Sequence, residues 1–158
     1  MRTFGASPFE ARVTHASFTR TGGQRRGALD ARWNPQHSQK EALLIIRPAG
    51  RADRDAVWDV LEPVLREGAT YTYPRDISKA DALAAWMGAD RETLVAEEDG
   101  KIIGTYYLRA NQPGGGSHVA NCGFGTDRAA GRRGVARRMC AHSLELARER
   151  GFLAMQYN

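Results

Sequence analysis

The chain changes texture near residue 41. Before it, apolar residues fall without period; after it, they fall into runs with strand or helix spacing. Residues 42–46, Ala-Leu-Leu-Ile-Ile, are rich in branched side chains and are followed by Pro48 and Gly50, which predicts a buried strand. Val57, Val60, Leu61, Val64 and Leu65 then recur at helical spacing, which predicts a helix over 53–66 ended by Gly68. Ser78 and Asp81 have the form of a capping box, ahead of a short helix over 79–87 ended by Gly88.

Two strands are predicted next, over 93–97 and 101–108, joined by Asp99-Gly100, a pair suited to the positive φ angles of a tight hairpin turn. A glycine-rich connection, 111–116, leads to a further strand over about 118–126. Asn121, Cys122, Gly123 and Gly125 make this an unusual core strand, because glycine within a strand marks a bulge or the close approach of a ligand. A helix opening near Val135 places Val135, Met139, Ser143, Leu146 and Ala147 on one face and stops at Gly151.

Composition adds exclusions. The chain has 158 residues, 42% hydrophobic and 26% charged, which fits one globular domain of ordinary make-up. The longest apolar run, 42–46, is far short of the roughly 18–20 residues that cross a bilayer. Only Cys122 and Cys140 occur, with no CxxC and no histidine at metal spacing, so neither a disulfide framework nor a metal site is expected, and a reducing, cytoplasmic setting fits best.

Charge separates the two textures further. Of the 23 basic and 18 acidic residues, seven and two lie in residues 1–40, leaving sixteen of each sign in the remainder. Residues 1–41 therefore read as a basic, disordered N-terminal extension, with an organellar transit peptide or a nucleic-acid-binding arm as alternatives. The rest of the chain carries no excess charge that would attract nucleic acid or an anionic membrane.

The stretch from Arg128 to Arg138 carries the most chemical information. A Gly- and Arg-rich loop feeding a helix N-terminus after a strand can hold a phosphate, through unpaired amides, a positive dipole end and nearby guanidinium groups. It lacks the Gly-Lys-Ser/Thr of a nucleotide P-loop and the GxGxxG of a dinucleotide fold, which disfavours ATP and NAD. The alternative is a glycine turn beside a solvated arginine face.

This order of elements over 42–158 resembles the GCN5-related N-acetyltransferase (GNAT) superfamily. That family's phosphate loop has the form Q/R-x-x-G-x-G/A, and Gly131-Arg132-Arg133-Gly134-Val135-Ala136 matches its second glycine and final alanine. Gly131 stands where Arg or Gln is usual and Arg132 where glycine is common, as if an Arg-Gly pair were swapped. Residues 67–71, 104–107, 117–124 and 155–158 are similar to a GNAT branch that includes the yeast N-acetyltransferases of azetidine-2-carboxylate, a proline analogue. The resemblance implies an α/β fold, a mixed and mostly antiparallel sheet flanked by helices.

It also implies acetyl-CoA as co-substrate, with no metal. Its pantetheine would pair with backbone near Phe124, Gly125 and Thr126, and its pyrophosphate would lie on Gly131, Arg132, Arg133, Gly134, Val135, Ala136 and Arg137. A small-molecule amine, an amino acid or proline analogue, would attack the thioester directly in a ternary complex. Asn121 and Asn158 match the branch's two substrate-facing asparagines: Asn121 would position the amine or a proton-accepting water, and Asn158 would bind the substrate carboxylate. His118 and Glu67 are the titratable candidates for proton removal, each equally readable as a surface residue; Tyr71 and Tyr73 would line the substrate pocket or simply pack.

GNAT enzymes continue past this point with a further helix and two strands, which often supply a tyrosine acid for the leaving thiolate. The resemblance therefore implies a domain incomplete at its C-terminus, with an open strand edge that favours association and leaves a homodimer open. Two other readings stand beside the enzyme: a non-catalytic truncated GNAT-like domain, and a nucleic-acid-binding module that uses the basic tail.

Overall fold

The computed structural model describes residues 43–157. The basic extension, Ala42 and Asn158 lie outside the described residues. Within them the elements are β1 (Leu44–Pro48), α1 (Arg54–Glu67), α2 (Lys79–Trp86), β2 (Glu92–Glu98), β3 (Lys101–Ala110), β4 (Val119–Thr126), α3 (Val135–Glu149) and β5 (Ala154–Gln156). The five strands stand side by side in chain order; β1 to β4 are antiparallel, and β5 runs parallel to β4. The expected class, a mostly antiparallel sheet flanked by helices, is the class observed.

Each face of the sheet is covered by the helices whose spacing predicted them. α3 buries Val135, Met139, Ser143, Leu146 and Ala147, the face read from sequence, against Leu94, Tyr106 and Ala120. α1 and α2 bury Val57, Leu61, Leu65, Leu83 and Trp86 against the opposite face, where Val95 and Tyr107 lie. Each large apolar side chain so buried contributes about 1.5–3 kcal/mol. Ser78 caps α2 by accepting the Asp81 amide at 3.1 Å, and its hydroxyl donates to the Asp81 carboxylate at 2.7 Å. At the hairpin turn Asp99 and Gly100 take φ of 50° and 78°.

Two expectations need correction. The first strand begins two residues later than predicted and is the outer strand of the sheet, so Ile45 is 48% exposed while Leu44 is buried. An outer strand buries one side only and tolerates Pro48, which has no N–H to give a second neighbour. The glycines of β4 mark no bulge, since the β3–β4 register runs unbroken from Gly104↔Thr126 to Ala110↔Ala120. They mark close approach: a Cβ on Gly123 would lie 2.6 Å from the Tyr107 ring, and one on Gly125 3.0 Å from Leu61. The register shift lies in β2, between Ala96 and Glu97.

A buried polar chain ties α2 to the sheet. Trp86 Nε1 donates to Thr105 Oγ1 at 3.2 Å, and that hydroxyl donates to the Leu94 carbonyl at 2.9 Å. Thr93 Oγ1 donates to the Trp86 carbonyl at 2.9 Å. The edge of the Trp86 ring is thereby held against Tyr71 and Tyr107, at 5.5 and 5.0 Å between centroids. Among the described residues no helix is long and apolar enough to cross a membrane.

The close fit at Gly123 makes a direct test of packing. Gly123→Ala is expected to destabilise the fold by about 1–3 kcal/mol, because the new methyl must displace the buried Tyr107 ring. Gly115→Ala, with nothing near its Cβ, should stay within about 0.5 kcal/mol of the parent in the same urea titration.

Candidate functional site

The site begins where two strands part. β4 pairs with β5 only from Val119↔Ala154 to Asn121↔Gln156. At the last rung Asn121, buried, donates its Nδ2 to the Gln156 carbonyl at 3.1 Å. Beyond Asn121 the outer side of β4 has no strand partner. There the Tyr71 hydroxyl, from the loop between α1 and α2, takes both backbone groups of Phe124: it donates to the carbonyl and accepts from the N–H, each at 2.8 Å. A phenol can do both because it is donor and acceptor at once. Burial pushes the Tyr71 pKa well above its ordinary value, so the hydroxyl keeps its proton at neutral pH.

The parting encloses a cavity of about 650 Å³. Tyr71, Tyr73 and Tyr107 line one side, Phe124, Ala136 and Tyr157 the other, and Arg109 and Asn121 the end where the strands meet. Burial pushes Cys122, also on the wall, up to about 12, so its thiol is protonated and unsuited to accept an acyl group. Tyr157 is likewise pushed up to about 12, chiefly by burial, and its hydroxyl lies 3.3 Å from Ser143 Oγ.

Of the residues singled out from sequence, Asn121, Tyr71, Tyr73, Phe124 and Ala136 come together here. His118 does not: it sits exposed ahead of β4, its Nδ1–H donating to the Gly115 carbonyl at 2.9 Å. Glu67 ends α1 and pairs with Arg128 at 2.8 Å, also outside the cavity. Asn158 lies outside the described residues. Sequence reasoning missed Tyr107, Arg109 and Tyr157. For Arg109 a signal existed: it continues the inward alternation Thr105, Tyr107, where a charge is out of place.

β4 leads through Gly125 and Thr126 into the Arg/Gly loop. Gly134 takes φ 78° as the cap of α3, and the first bond into the helix runs from the Arg138 amide to the Gly134 carbonyl at 3.0 Å. The amides of Val135, Ala136 and Arg137 precede that bond and point out of the helix end. Arg133 is held by Glu98, while Arg132 and Arg137 are exposed and pair with no carboxylate among the described residues. Val135 itself turns into the core. Among the described residues no group of three His, Cys, Asp or Glu side chains is arranged to hold a metal ion.

The swapped Arg-Gly pair has a structural counterpart. Arg132 takes φ 62°, the left-handed region that favours glycine, while Gly131 takes φ −56°, open to any residue. Arg132→Gly should release about 1–2 kcal/mol of local strain, against about 0.5–1 kcal/mol for the greater unfolded-state freedom of glycine. The expected result is a net gain of about 0.5–1 kcal/mol in chemical denaturation, with any loss of stability counting against strain at this position.

Comparison with known proteins follows the same lines. Residues 57–157 match the Acetyltransferase (GNAT) family. A GCN5-related N-acetyltransferase from Kribbella flavida is 34% identical, with a TM-score of 0.69 over 73% of this chain and 71% of that one. Two further structures share the fold at lower identity. The protein yncA from Salmonella typhimurium, solved with its cofactor acetyl-CoA, is 20% identical with a TM-score of 0.64 over 72% of this chain and 68% of its own. A GNAT superfamily phosphinothricin acetyltransferase from Sinorhizobium meliloti, in complex with AcCoA, is 18% identical with a TM-score of 0.60 over 69% and 62%. A search of curated proteins gave no match. The parted β4 and β5, the loop at the head of α3 and the match over residues 57–157 agree: this chain belongs to the GNAT family of acetyltransferases.

Proposed function

We propose that the protein is an acetyl-CoA-dependent N-acetyltransferase acting on the amine of a small molecule, an amino acid or proline analogue. The observation that carries this reading is the outer side of β4 at Phe124, whose N–H and carbonyl no strand meets there and the Tyr71 hydroxyl takes instead. Those groups suit an extended ligand carrying amides, laid along β4 in place of the missing strand. The exposed arginines and unpaired amides at the head of α3 suit its pyrophosphate. The binding residues in this reading are Phe124, Gly125 and Thr126 on the strand, and residues 131–137 in the loop.

Acetyl-CoA supplies the acetyl group as a thioester; the chain's own residues bind, orient and move protons. In this reading the Phe124 N–H, once the Tyr71 hydroxyl leaves it, would donate to a carbonyl oxygen as negative charge develops on it. Asn121 orients the amine from the closed end of the cavity. Among the described residues no Asp, Glu or His lines the cavity, so in this reading the amine gives its proton to water. Tyr71 and Tyr157 are the lining hydroxyls that could donate to the leaving sulfur, and burial makes each a weaker acid than a free phenol. His118 and Glu67 have no part in this scheme.

Titration calorimetry of the chain with acetyl-CoA, with ATP and a short DNA duplex as controls, tests the reading. Saturable binding of acetyl-CoA alone is expected; its absence from folded protein would sink the proposal. Gly134→Val, which strains a left-handed position and sets a branched side chain beside the loop amides, should weaken acetyl-CoA by about tenfold or more. Tyr71→Phe vacates the Phe124 groups and should tighten acetyl-CoA by about five- to thirtyfold, the equivalent of one to two neutral hydrogen bonds. Weaker binding would show instead that the phenol helps to hold the ligand. Turnover should rise with pH in step with deprotonation of the acceptor amine, and a plateau set near pH 6–7 by a protein group would contradict the absence of a lining base.

A further inference from the structure

The structure assigns Arg109 as the anchor for an anionic group on the acceptor, so that the amine acetylated is one that also carries a carboxylate. This inference rests on the proposed acetyltransferase activity and adds the feature that selects its substrate. Arg109 stands on β3 directly across from Asn121, at the closed end of the cavity. It is the one charged side chain among the cavity's lining residues, the others being Tyr, Thr, Asn, Cys, Gly, Phe and Ala.

Its charge is poorly used within the protein. The Nε of Arg109 is buried and, among the described residues, is the buried side-chain polar atom that lacks a hydrogen-bond partner. An orphaned guanidinium N–H is an expensive thing to bury, and native structures keep such groups where something else completes them. The nearest carboxylate, Asp90, lies 3.5 Å from the Arg109 guanidinium, at the limit of a hydrogen bond. Asp90 is already engaged through both oxygens by Arg91, at 2.9 Å each, and the Arg91 guanidinium holds its carboxyl below the usual range. Arg91 in turn stacks on the Tyr107 ring, 4.9 Å from its centroid, which fixes the pair beside Arg109. Two guanidinium groups and one carboxylate leave one positive charge over, and it faces a cavity walled by neutral groups.

A carboxylate completes this arrangement, since a guanidinium offers parallel N–H donors that match its two oxygens. An amino acid carries carboxylate and nitrogen on the same carbon. With the carboxylate on Arg109, the nitrogen falls beside Asn121 and toward the open edge of β4. Polyamines and other cationic acceptors would meet like charge at the same place. In this proposal Arg109 takes the carboxylate-binding role that the sequence reading gave to Asn158, which lies outside the described residues.

The test compares binding of azetidine-2-carboxylate with that of its methyl ester, by calorimetry on the full chain, in the parent, Arg109→Gln and Arg109→Lys. The acid is expected to bind the parent about tenfold or more tighter than the ester, matching one charge-assisted pair. Arg109→Gln should bring the acid down to the level of the ester and leave the ester unchanged, while Arg109→Lys recovers part of the difference. Arg109 is half-exposed, so all variants should keep the parent's thermal unfolding and its acetyl-CoA affinity. Equal binding of acid and ester, an unaltered acid affinity in Arg109→Gln, or no binding of the acid or of any free amino acid in a panel would each overturn the assignment. Loss of acetyl-CoA binding with the acid still held by Arg109 would instead overturn the acetyltransferase reading, and with it the claim about which amine is acetylated, and leave only a carboxylate-binding site at Arg109.

Discussion

A β-strand inside a protein must place its peptide groups somewhere, and β4 has one partner too few. From Val119 to Asn121 it pairs on both sides, with β3 and β5; from Cys122 onward its outer side has no strand. The Asn121 side chain closes the last rung by donating across to Gln156, so the point of parting is held by a specific bond rather than by fraying. Everything chemically useful in the domain follows from that point. The cavity lies in the parting, the strand edge supplies donors and acceptors, and the strand runs on into the loop at the head of α3.

Tyr71 shows how the fold tolerates the open edge. Leaving a buried N–H and C=O unmet would cost roughly 1–3 kcal/mol for each group. A single phenol meets both, from a loop outside the sheet, and is itself held by the Trp86 ring and the hydrogen bonds that pin Trp86 to Thr105 and Thr93. One rotatable side chain is easier to move than a strand. The edge is therefore satisfied in the free protein yet available to a ligand, at the modest net price of exchanging one set of hydrogen bonds for another.

What sequence revealed and what it hid divide along the range of the interactions. The buried face of α3, the Ser78 cap and the Asp99-Gly100 turn depend on residues a few positions apart, and they are where periodicity and local chemistry put them. The outer position of β1 depends on which strands neighbour it, which five apolar residues cannot convey. The glycines of β4 suggested the approach of a ligand, whereas the groups close to Gly123 and Gly125 are Tyr107 and Leu61, brought there by the sheet and by α1. Tyr71 and Phe124 lie 53 residues apart, and no local pattern links a loop phenol to one peptide group. His118 drew attention as a titratable group close to Asn121 in sequence, yet nearness along an extended strand quickly becomes distance in space, while Glu67, at the end of α1, is turned to Arg128.

The same geometry accounts for the distribution of charge around the site. From Asn121 to Thr126 an extended strand advances about 16 Å, at roughly 3.3 Å per residue. At one end of that span stands Arg109; beyond the other lie Arg132, Arg137 and the positive end of α3; between them the cavity wall is neutral. Two cationic ends separated by an uncharged, donor-lined edge suit two ligands that meet in the middle, each anchored by its own negative group at its far end. Anchoring at the ends leaves the reacting groups at the centre without strong charge contacts of their own. In the proposed reaction the binding energy would act away from the bond that changes, and orientation rather than local attraction would bring amine and thioester together. Among the described residues the wall between the two ends carries no acidic side chain, so nothing there holds an amine as its ammonium by a direct ion pair.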